Sequence, residues 1–192
     1  MTLIHRLSLA CALGGALLCA GLTAQAQTAP TPPLPVTPIE RLDVSRYLGR
    51  WYELAKLPNW FQKKCVADTS AEYRLLANGQ LGVLNQCRTA SGEMQQANGV
   101  ARQRAGGSTS QLEVRFAPQW LAWLPLVWGT YWVVDLDADY TLAAVSEPER
   151  EYLWILARQP QLDPARKDAL LQRLAAMGLP VDRLEWTVHG QP

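Results

Sequence analysis

The amino-acid sequence predicts an all-β fold: an eight-stranded antiparallel up-and-down barrel with one C-terminal flanking α-helix. Three observations carry this prediction. After Gly49 the chain consists of short, apolar-rich segments separated by turn-forming residues. The connections between consecutive segments are mostly short, which favours strands that follow one another around a barrel. A single amphipathic helix, with clear start and stop signals, follows the last segment.

Eight segments have the length and composition of β-strands. Turn signals such as Asn78-Gly79 and Ser91-Gly92 lie between them. A barrel of eight strands leaves an interior that holds one small ligand. The predicted strands are residues 51–57, 67–75, 81–88, 94–103, 111–116, 129–136, 140–146 and 152–157.

The predicted helix has capping residues at both ends. Asp163 is the expected N-cap, Pro164 suits the first helical position and Gly178 suits the C-terminal cap. Apolar side chains recur at helical spacing on one face, and we expect this face to pack on the barrel wall. They are Leu170, Leu171, Leu174 and Met177. A short extra strand is expected within residues 184–188, with Trp186 turned inward.

The first 26 residues have the features of a secretory signal peptide. A basic flank precedes an apolar run over residues 7–22, which ends in Ala24-Gln25-Ala26. The five prolines of residues 27–39 prevent pairing into a sheet and predict an extended spacer. The expected division is therefore a signal peptide (1–26), a Pro-rich linker (27–43) and a barrel domain (44–190).

Charge and cysteine content restrict the partners and the redox state. Without residues 1–26 the chain has 17 basic and 17 acidic side chains, which argues against a nucleic-acid partner. Two cysteines remain, Cys65 and Cys87, and they flank one predicted hairpin. In an oxidising compartment we favour a disulfide between them over two free thiols.

Two matching motifs carry a family resemblance. Gly49-Arg50-Trp51-Tyr52 opens the first strand, and the last strand ends in Arg158. This pairing resembles the lipocalin family, specifically the bacterial lipocalins and their apolipoprotein D-like relatives, over roughly residues 44–186. The resemblance implies that Gly49, Trp51 and Arg158 form the barrel floor, where the guanidinium lies across the indole ring. It assigns them to stability and not to ligand contact.

Catalysis and metal binding have little support. His189 is the one histidine left after the signal peptide, so catalysis based on His and His-rich metal sites is not expected. Asp135-x-Asp137-x-Asp139 looks like the start of a calcium loop, but Tyr140 and Ser146 occupy the positions that need Gly and Glu. We expect a turn there, no metal, no cofactor and no enzyme activity.

The candidate ligand-binding residues follow from strand alternation. Trp154 shares a strand face with Arg158, whose expected place is the floor, so Trp154 should point into the barrel. Weaker reasoning of the same kind gives five further wall residues, for which ordinary packing is an equal alternative. They are Tyr131, Val133, Leu112, Val114 and Tyr73.

The connection over residues 116–128 has no charged side chain and contains Trp120, Trp123 and Trp128. Loops are usually polar, so an apolar loop needs a partner. Three partners stay open: the rim of the protein's own barrel, a second subunit in a homodimer, or lipid at a membrane surface, where Trp is favoured. We favour a role at the cavity mouth, with or without membrane contact, and include the three tryptophans among the candidate ligand-binding residues.

The resemblance implies a fatty acid or a lysophospholipid as ligand, carried or stored in the bacterial cell envelope. Few cationic residues are candidates for the interior, so a charged headgroup is expected to stay at the wet rim. Two alternatives remain: a carrier of haem, bilins or other tetrapyrroles, and a dimerising interaction protein with a self-filled barrel. The resemblance also raises an outer-membrane lipoprotein, but Leu17-Leu18 is too bulky before Cys19 and Cys11 lies too early, so we expect a periplasmic protein.

Overall fold

The computed structural model describes residues 34–190. The predicted signal peptide and the first part of the predicted linker lie outside the described residues. The elements, in chain order, are α1 (Val44–Tyr47), β1 (Gly49–Lys56), β2 (Cys65–Leu75), β3 (Leu81–Thr89), β4 (Met94–Gln103), β5 (Gln111–Arg115), β6 (Gly129–Leu136), β7 (Leu142–Ser146), β8 (Leu153–Ala157), α2 (Pro164–Ala176) and β9 (Glu185–Trp186).

Eight antiparallel strands close into a barrel, as predicted. Each strand from β2 to β7 pairs with the next one along the chain, and β8 pairs with β1. The first half of β1 also pairs with β2, where Gly49 lies opposite Tyr73 and Trp51 opposite Ala71. This last pairing closes the sheet, and each predicted strand overlaps its observed counterpart.

Alternating side chains divide the buried residues into an inner cluster, inside the barrel, and an outer cluster, between the barrel wall and α2. Along β8, Trp154 and Leu156 belong to the inner cluster, while Leu153 and Ile155 belong to the outer cluster. Such alternation is the normal result of a strand with one face on each side of a sheet.

Helix α2 begins and ends where the sequence predicts. The Asp163 carboxylate accepts a hydrogen bond from the Arg166 backbone amide at 3.1 Å, and Gly178 has φ +71° just after the helix. Leu170 and Leu174 are fully buried in the outer cluster, which confirms the predicted packing face. None of the helices within residues 34–190 is long and apolar enough to cross a membrane.

The segment after α2 lies between β1 and β2, where these two strands separate. Its strand β9 pairs with the end of β1, and Val188 forms a bridge to Ala67 of β2. The predicted extra strand is therefore confirmed. The inward direction expected for Trp186 is wrong: its side chain is 45% exposed, and the Lys167 ammonium lies 5.1 Å from the ring. Trp186 lies opposite Ala55, which belongs to the outer cluster, so its side chain is on the outer face of the sheet.

Residues 34–43, the end of the predicted linker, are packed against the barrel domain. Val36 and Leu42 are buried, and the Ile39 amide donates to the Val133 carbonyl at 2.8 Å. The spacer expected here is thus wrong for this part of the chain. The reason is that apolar side chains at a spacing of three residues anchor the Pro-rich backbone without any strand pairing.

Cys65 and Cys87 form the expected disulfide, with Cα atoms 5.4 Å apart. The bridge joins the start of β2 to the end of β3. Cross-links of this kind stabilise a fold mainly by restricting the unfolded chain.

The barrel floor is built around Trp51, which is completely buried. Its indole nitrogen donates to the Tyr47 carbonyl at 2.8 Å, and the Arg158 guanidinium carbon lies 4.0 Å from the ring centre. Gly49 has φ +91°, a conformation that favours glycine, and the position of its missing Cβ is 3.5 Å from the Arg158 side chain. Together these residues close one end of the barrel.

We predict that Trp51→Ala lowers the free energy of unfolding by about 3 to 5 kcal/mol, because it removes a large buried ring. Trp123→Ala is the matched control, since that ring is 76% exposed, and its effect should stay within about 0.5 kcal/mol. Urea unfolding followed by circular dichroism measures both values. Equal stability of the two variants would contradict this account of the floor.

Candidate functional site

The open end of the barrel lies opposite the floor. Because consecutive strands are antiparallel, the connections β1–β2, β3–β4, β5–β6 and β7–β8 all lie at the end away from Arg158. We call this end the mouth. A ligand inside the barrel would lie between the mouth and Trp51.

The six wall residues predicted from strand alternation all belong to the inner cluster or pack against it. Leu112, Val133 and Tyr73 are buried there. The other three pack against the inner cluster and are only partly buried. These three are Val114, Tyr131 and Trp154.

Three tyrosine hydroxyls meet inside the barrel. The hydroxyl oxygen of Tyr131 is 3.0 Å from that of Tyr47 and 2.8 Å from that of Tyr73. Burial raises the pKa of Tyr73 to about 12 and raises the pKa values of Tyr47 and Tyr131 well above their usual range. All three hydroxyls are therefore neutral at ordinary pH and remain hydrogen-bond donors. We call these residues the tyrosine triad.

A polar network joins the β1–β2 loop to the barrel wall near the mouth. The Gln62 side-chain amide donates to the Glu53 carboxyl at 2.6 Å, and its oxygen accepts from Trp154 at 3.0 Å and from Asn59 at 2.7 Å. The Thr187 hydroxyl donates to the other Glu53 oxygen at 2.9 Å. Trp154 is thus held in its orientation by the loop above it.

Glu53 is a buried carboxyl, only 4% exposed. Burial raises its pKa above the ordinary value, against the hydrogen bonds from Gln62 and Thr187 and the positive charge of Lys56, which lower it. His189 also lies here, and its Nε2 is 2.8 Å from the Glu53 carbonyl oxygen.

The sequence alone did not identify Tyr47, Glu53 or Gln62. Tyr47 lies in a four-residue helix before the first strand, so no alternation pattern covers it. Glu53 is a charged residue inside a strand, a signal that points to a buried polar site when the strand is otherwise apolar. Gln62 lies in a loop, and its contacts depend on how that loop folds over the barrel.

The tryptophans of residues 116–128 do not lie together. Trp120 and Trp123 are 73% and 76% exposed, so packing against the protein's own rim is wrong for both. Trp128 packs on the outer side of the barrel, where the Arg102 guanidinium carbon lies 3.8 Å from its ring centre. Trp128 thus lies at the mouth end of β6 with its ring on the outer face, where Arg102 provides a cationic partner, so the expected position at the cavity opening is wrong for it.

Further exposed aromatic side chains lie in the β1–β2 loop, also at the mouth. Trp60 is 73% exposed and its neighbour Phe61 is 47% exposed. Lys63 and Lys64 follow, and neither this loop nor residues 116–128 contain an acidic side chain. Two mouth loops thus combine exposed aromatic groups with positive or no charge.

The acidic turn after β6 has the structural role expected for it. Asp137 accepts hydrogen bonds from the backbone amides of Thr141 at 2.6 Å and Leu142 at 3.0 Å, while Asp135 forms an ion pair with Arg173. Among the described residues, no group of three or more His, Cys, Asp or Glu side chains is arranged to hold a metal ion.

Comparisons with known proteins agree with this geometry. The sequence model of a family described as a lipocalin-like domain matches residues 42–189. The chain is 36% identical over 151 residues to temperature-induced lipocalin-1 of Arabidopsis thaliana, covering 78% of this chain and 80% of that protein. It is 34% identical over 160 residues to the outer membrane lipoprotein Blc of Citrobacter freundii, covering 83% and 86%.

A solved structure gives the same fold. The major allergen Per a 4 from cockroaches superimposes with a TM-score of 0.62 at 21% identity, covering 82% of this chain and 96% of that chain. The likeness extends over the barrel and its flanking helix, and it concerns architecture only.

The raised pKa of Glu53 predicts a specific pH dependence. In the unfolded chain this carboxyl titrates near 4.5, so the native state binds its proton more tightly. Its contribution to stability is fully present below that value and is lost as the pH rises through the raised pKa. Glu53→Gln cannot titrate, so the unfolding free energy of the wild type minus that of the variant should fall as the pH rises above 4.5.

Urea unfolding at several pH values measures this difference. Glu40→Gln, which changes an exposed carboxyl, is the control. A difference for Glu53→Gln that stays constant with pH would show that Glu53 has no raised pKa in the fold.

Proposed function

This chain belongs to the lipocalin family, whose members bind small hydrophobic ligands, and we propose that its barrel carries a single-chain lipid in the bacterial cell envelope. A fatty acid or a lysophospholipid is the ligand we propose. The proposal includes no catalytic step: the two charged residues on the inner face already have partners, because Glu53 accepts hydrogen bonds from Gln62 and Thr187 and Lys56 forms an ion pair with Glu185.

One observation carries the proposal. Val114, Tyr131 and Trp154 face inward yet keep accessible surface, between a sealed floor and the mouth. A lipid chain that covers this surface gains about 25 cal/mol for each Å² of apolar area removed from water. Trp154 contributes the largest ring among the three, and its orientation is fixed by Gln62.

The exposed mouth loops support loading at a membrane. Trp60, Trp120 and Trp123 are aromatic side chains of the kind favoured at a membrane interface, and Lys63 and Lys64 would attract anionic headgroups. A surface of this kind next to the barrel opening would bring the cavity to its ligand's source. We therefore propose peripheral membrane contact, with dimer formation as the competing explanation of the same surface.

The predicted signal peptide supports a periplasmic location. The relative Blc is named an outer membrane lipoprotein, which is consistent with a role of this chain in the same compartment. Within the described residues, the folded unit begins with Leu34 bonded to the end of α2 through the Ala176 carbonyl.

Trp154→Ala should weaken binding of hexadecanoic acid more than it weakens the fold, because part of the ring faces the cavity. Trp186→Ala is the matched control, since that ring lies on the outer surface. Titration calorimetry gives the affinities and urea unfolding gives the stabilities. Unchanged affinity in the Trp154 variant, or no binding of any acyl ligand by the wild type, would overturn the proposal.

Replacing Trp120 and Trp123 together by Ser should leave the fold intact, because both rings are largely exposed. If they contact membrane, the double variant should lose association with vesicles that contain anionic lipid, and it should take up acyl ligand from them more slowly. Its affinity for dissolved fatty acid should stay nearly constant. Flotation with vesicles and stopped-flow transfer provide the measurements.

Sedimentation of the same double variant tests the competing explanation. A wild-type dimer that becomes a monomer in the variant, with unchanged vesicle association, would assign the loop to subunit contact. The control is Trp128→Phe, which alters a ring that packs on Arg102 outside the barrel and keeps the exposed surface unchanged.

A further inference from the structure

The tyrosine triad has one hydrogen-bond donor more than it uses. Three hydroxyls supply three hydrogens, but the two close contacts, Tyr47 to Tyr131 and Tyr131 to Tyr73, consume two of them at most. No other hydrogen bond from these hydroxyls is formed within residues 34–190. One hydrogen of the triad is therefore left without an acceptor in the described part of the protein, whichever way the hydroxyls are turned.

Such a buried donor is costly unless something accepts it. Leaving a buried polar group unsatisfied costs more than a made hydrogen bond contributes, so interiors rarely keep one without a reason. Tyr131 is the central member of the triad and packs against the inner cluster. A molecule that reaches this depth inside the barrel would meet the triad hydroxyls.

A second polar atom without a partner lies on the same wall. The Asn85 side-chain oxygen is buried and accepts no hydrogen bond. Asn85 pairs with Ala71, which lies two residues from Tyr73 along β2, and both neighbours belong to the inner cluster. This part of the wall therefore has an unused hydrogen-bond donor in the triad and an unused acceptor on Asn85, and their strand positions are two residues apart.

The charge of this region is neutral. Two basic residues border the interior, and both already have partners. Arg158 lies beyond Trp51 and donates to four carbonyl oxygens, while Lys56, opposite Trp154 near the mouth, forms an ion pair with Glu185. An ionised carboxylate or phosphate would have no cation to compensate its loss of water. A neutral oxygen group has no such cost.

We infer that the barrel binds an apolar ligand whose inner end is a neutral hydroxyl or carbonyl oxygen, hydrogen-bonded to the tyrosine triad, with the apolar end toward the mouth. This inference rests on the proposed function and narrows it. Of the two proposed lipids it favours the fatty acid, bound with its carboxyl protonated, over a lysophospholipid. The orientation is opposite to the rim position expected for a charged headgroup.

Dodecanol, its isostere chlorododecane and decyl methyl ketone test the inference directly. The wild type should bind dodecanol about two- to tenfold more tightly than chlorododecane, the ratio expected for one hydrogen bond. Tyr47→Phe/Tyr73→Phe/Tyr131→Phe removes all three hydroxyls and should lose or reverse this preference, because the dodecanol hydroxyl would then be buried without a partner. Displacement of a fluorescent naphthylamine probe from the mature protein measures each affinity.

The infrared carbonyl stretch of the bound ketone separates ligand contact from a structural role. It should have the low frequency of a hydrogen-bonded carbonyl in the wild type and a higher frequency in the triple variant. If the triple variant does not fold, the frequency of the ketone dissolved in dodecane, which has no hydrogen-bond donor, provides the comparison. Tyr52→Phe, on the outer face, is the control and should change neither measurement.

Two outcomes would overturn the inference while the proposed function stands. One is equal binding of dodecanol and chlorododecane by the wild type; the other is a preference or a carbonyl frequency that the triple variant keeps. If the wild type binds none of the three ligands and no fatty acid, the proposed function fails as well.

Discussion

The guanidinium of Arg158 is the constraint on which the barrel depends. Among residues 34–190 it has no acidic partner; instead it lies over the Trp51 ring and donates to the carbonyl oxygens of Arg46, Leu48, Arg50 and Tyr140. A cation removed from water is tolerated only with such partners. These carbonyls come from the chain before β1, from β1 itself and from the β6–β7 turn, so one side chain fixes three segments around the floor. The cavity is then forced to open at the other end.

The end of the barrel near the mouth is stabilised by other contacts. β1 pairs with β2 only through Tyr52, and a bulge between Glu53 and Ala55 then shifts its register. The C-terminal segment enters the gap, with Thr187 and His189 both bonded to Glu53. The floor is thus closed by the strands themselves, whereas the mouth depends on residues at the end of the chain and on a buried carboxyl. A floor closed by strand pairing, and a mouth where β1 and β2 separate, suit a barrel that admits a ligand from one side.

Sequence reasoning succeeds here where the signal is local. Strand alternation has a period of two residues, so the inward placement of Trp154 and Tyr131 follows from neighbours only a few positions away. The disulfide follows in the same way, from two cysteines at the ends of one hairpin. The ligand roles of these residues remain predictions, because alternation gives a direction and not a contact.

The errors arise where position depends on distant parts of the chain. Trp128 was expected at the mouth and Trp186 inside, yet each lies on the outer surface beside a cation, Arg102 or Lys167, from another element. No periodic pattern encodes that choice. Tyr47 was missed for the same reason, since its inward position is set by Trp51 and Arg158 rather than by a strand.

Apolar rings are exposed to water at the mouth, and unpaired polar atoms are buried in the interior. Trp120 and Trp123 expose large apolar rings to water, while the tyrosine triad and Asn85 place unused polar atoms in the interior. Each arrangement costs stability: exposed rings gain nothing from burial, and unpaired buried polar atoms lose their bonds to water. Exposed apolar rings and unpaired buried polar atoms mark places where another molecule binds. The exposed rings lie at the mouth and the unpaired polar atoms lie between the mouth and the floor. A ligand with an apolar chain and a neutral oxygen at its inner end would complete the interior. Trp120 and Trp123 would remain free to contact a lipid surface.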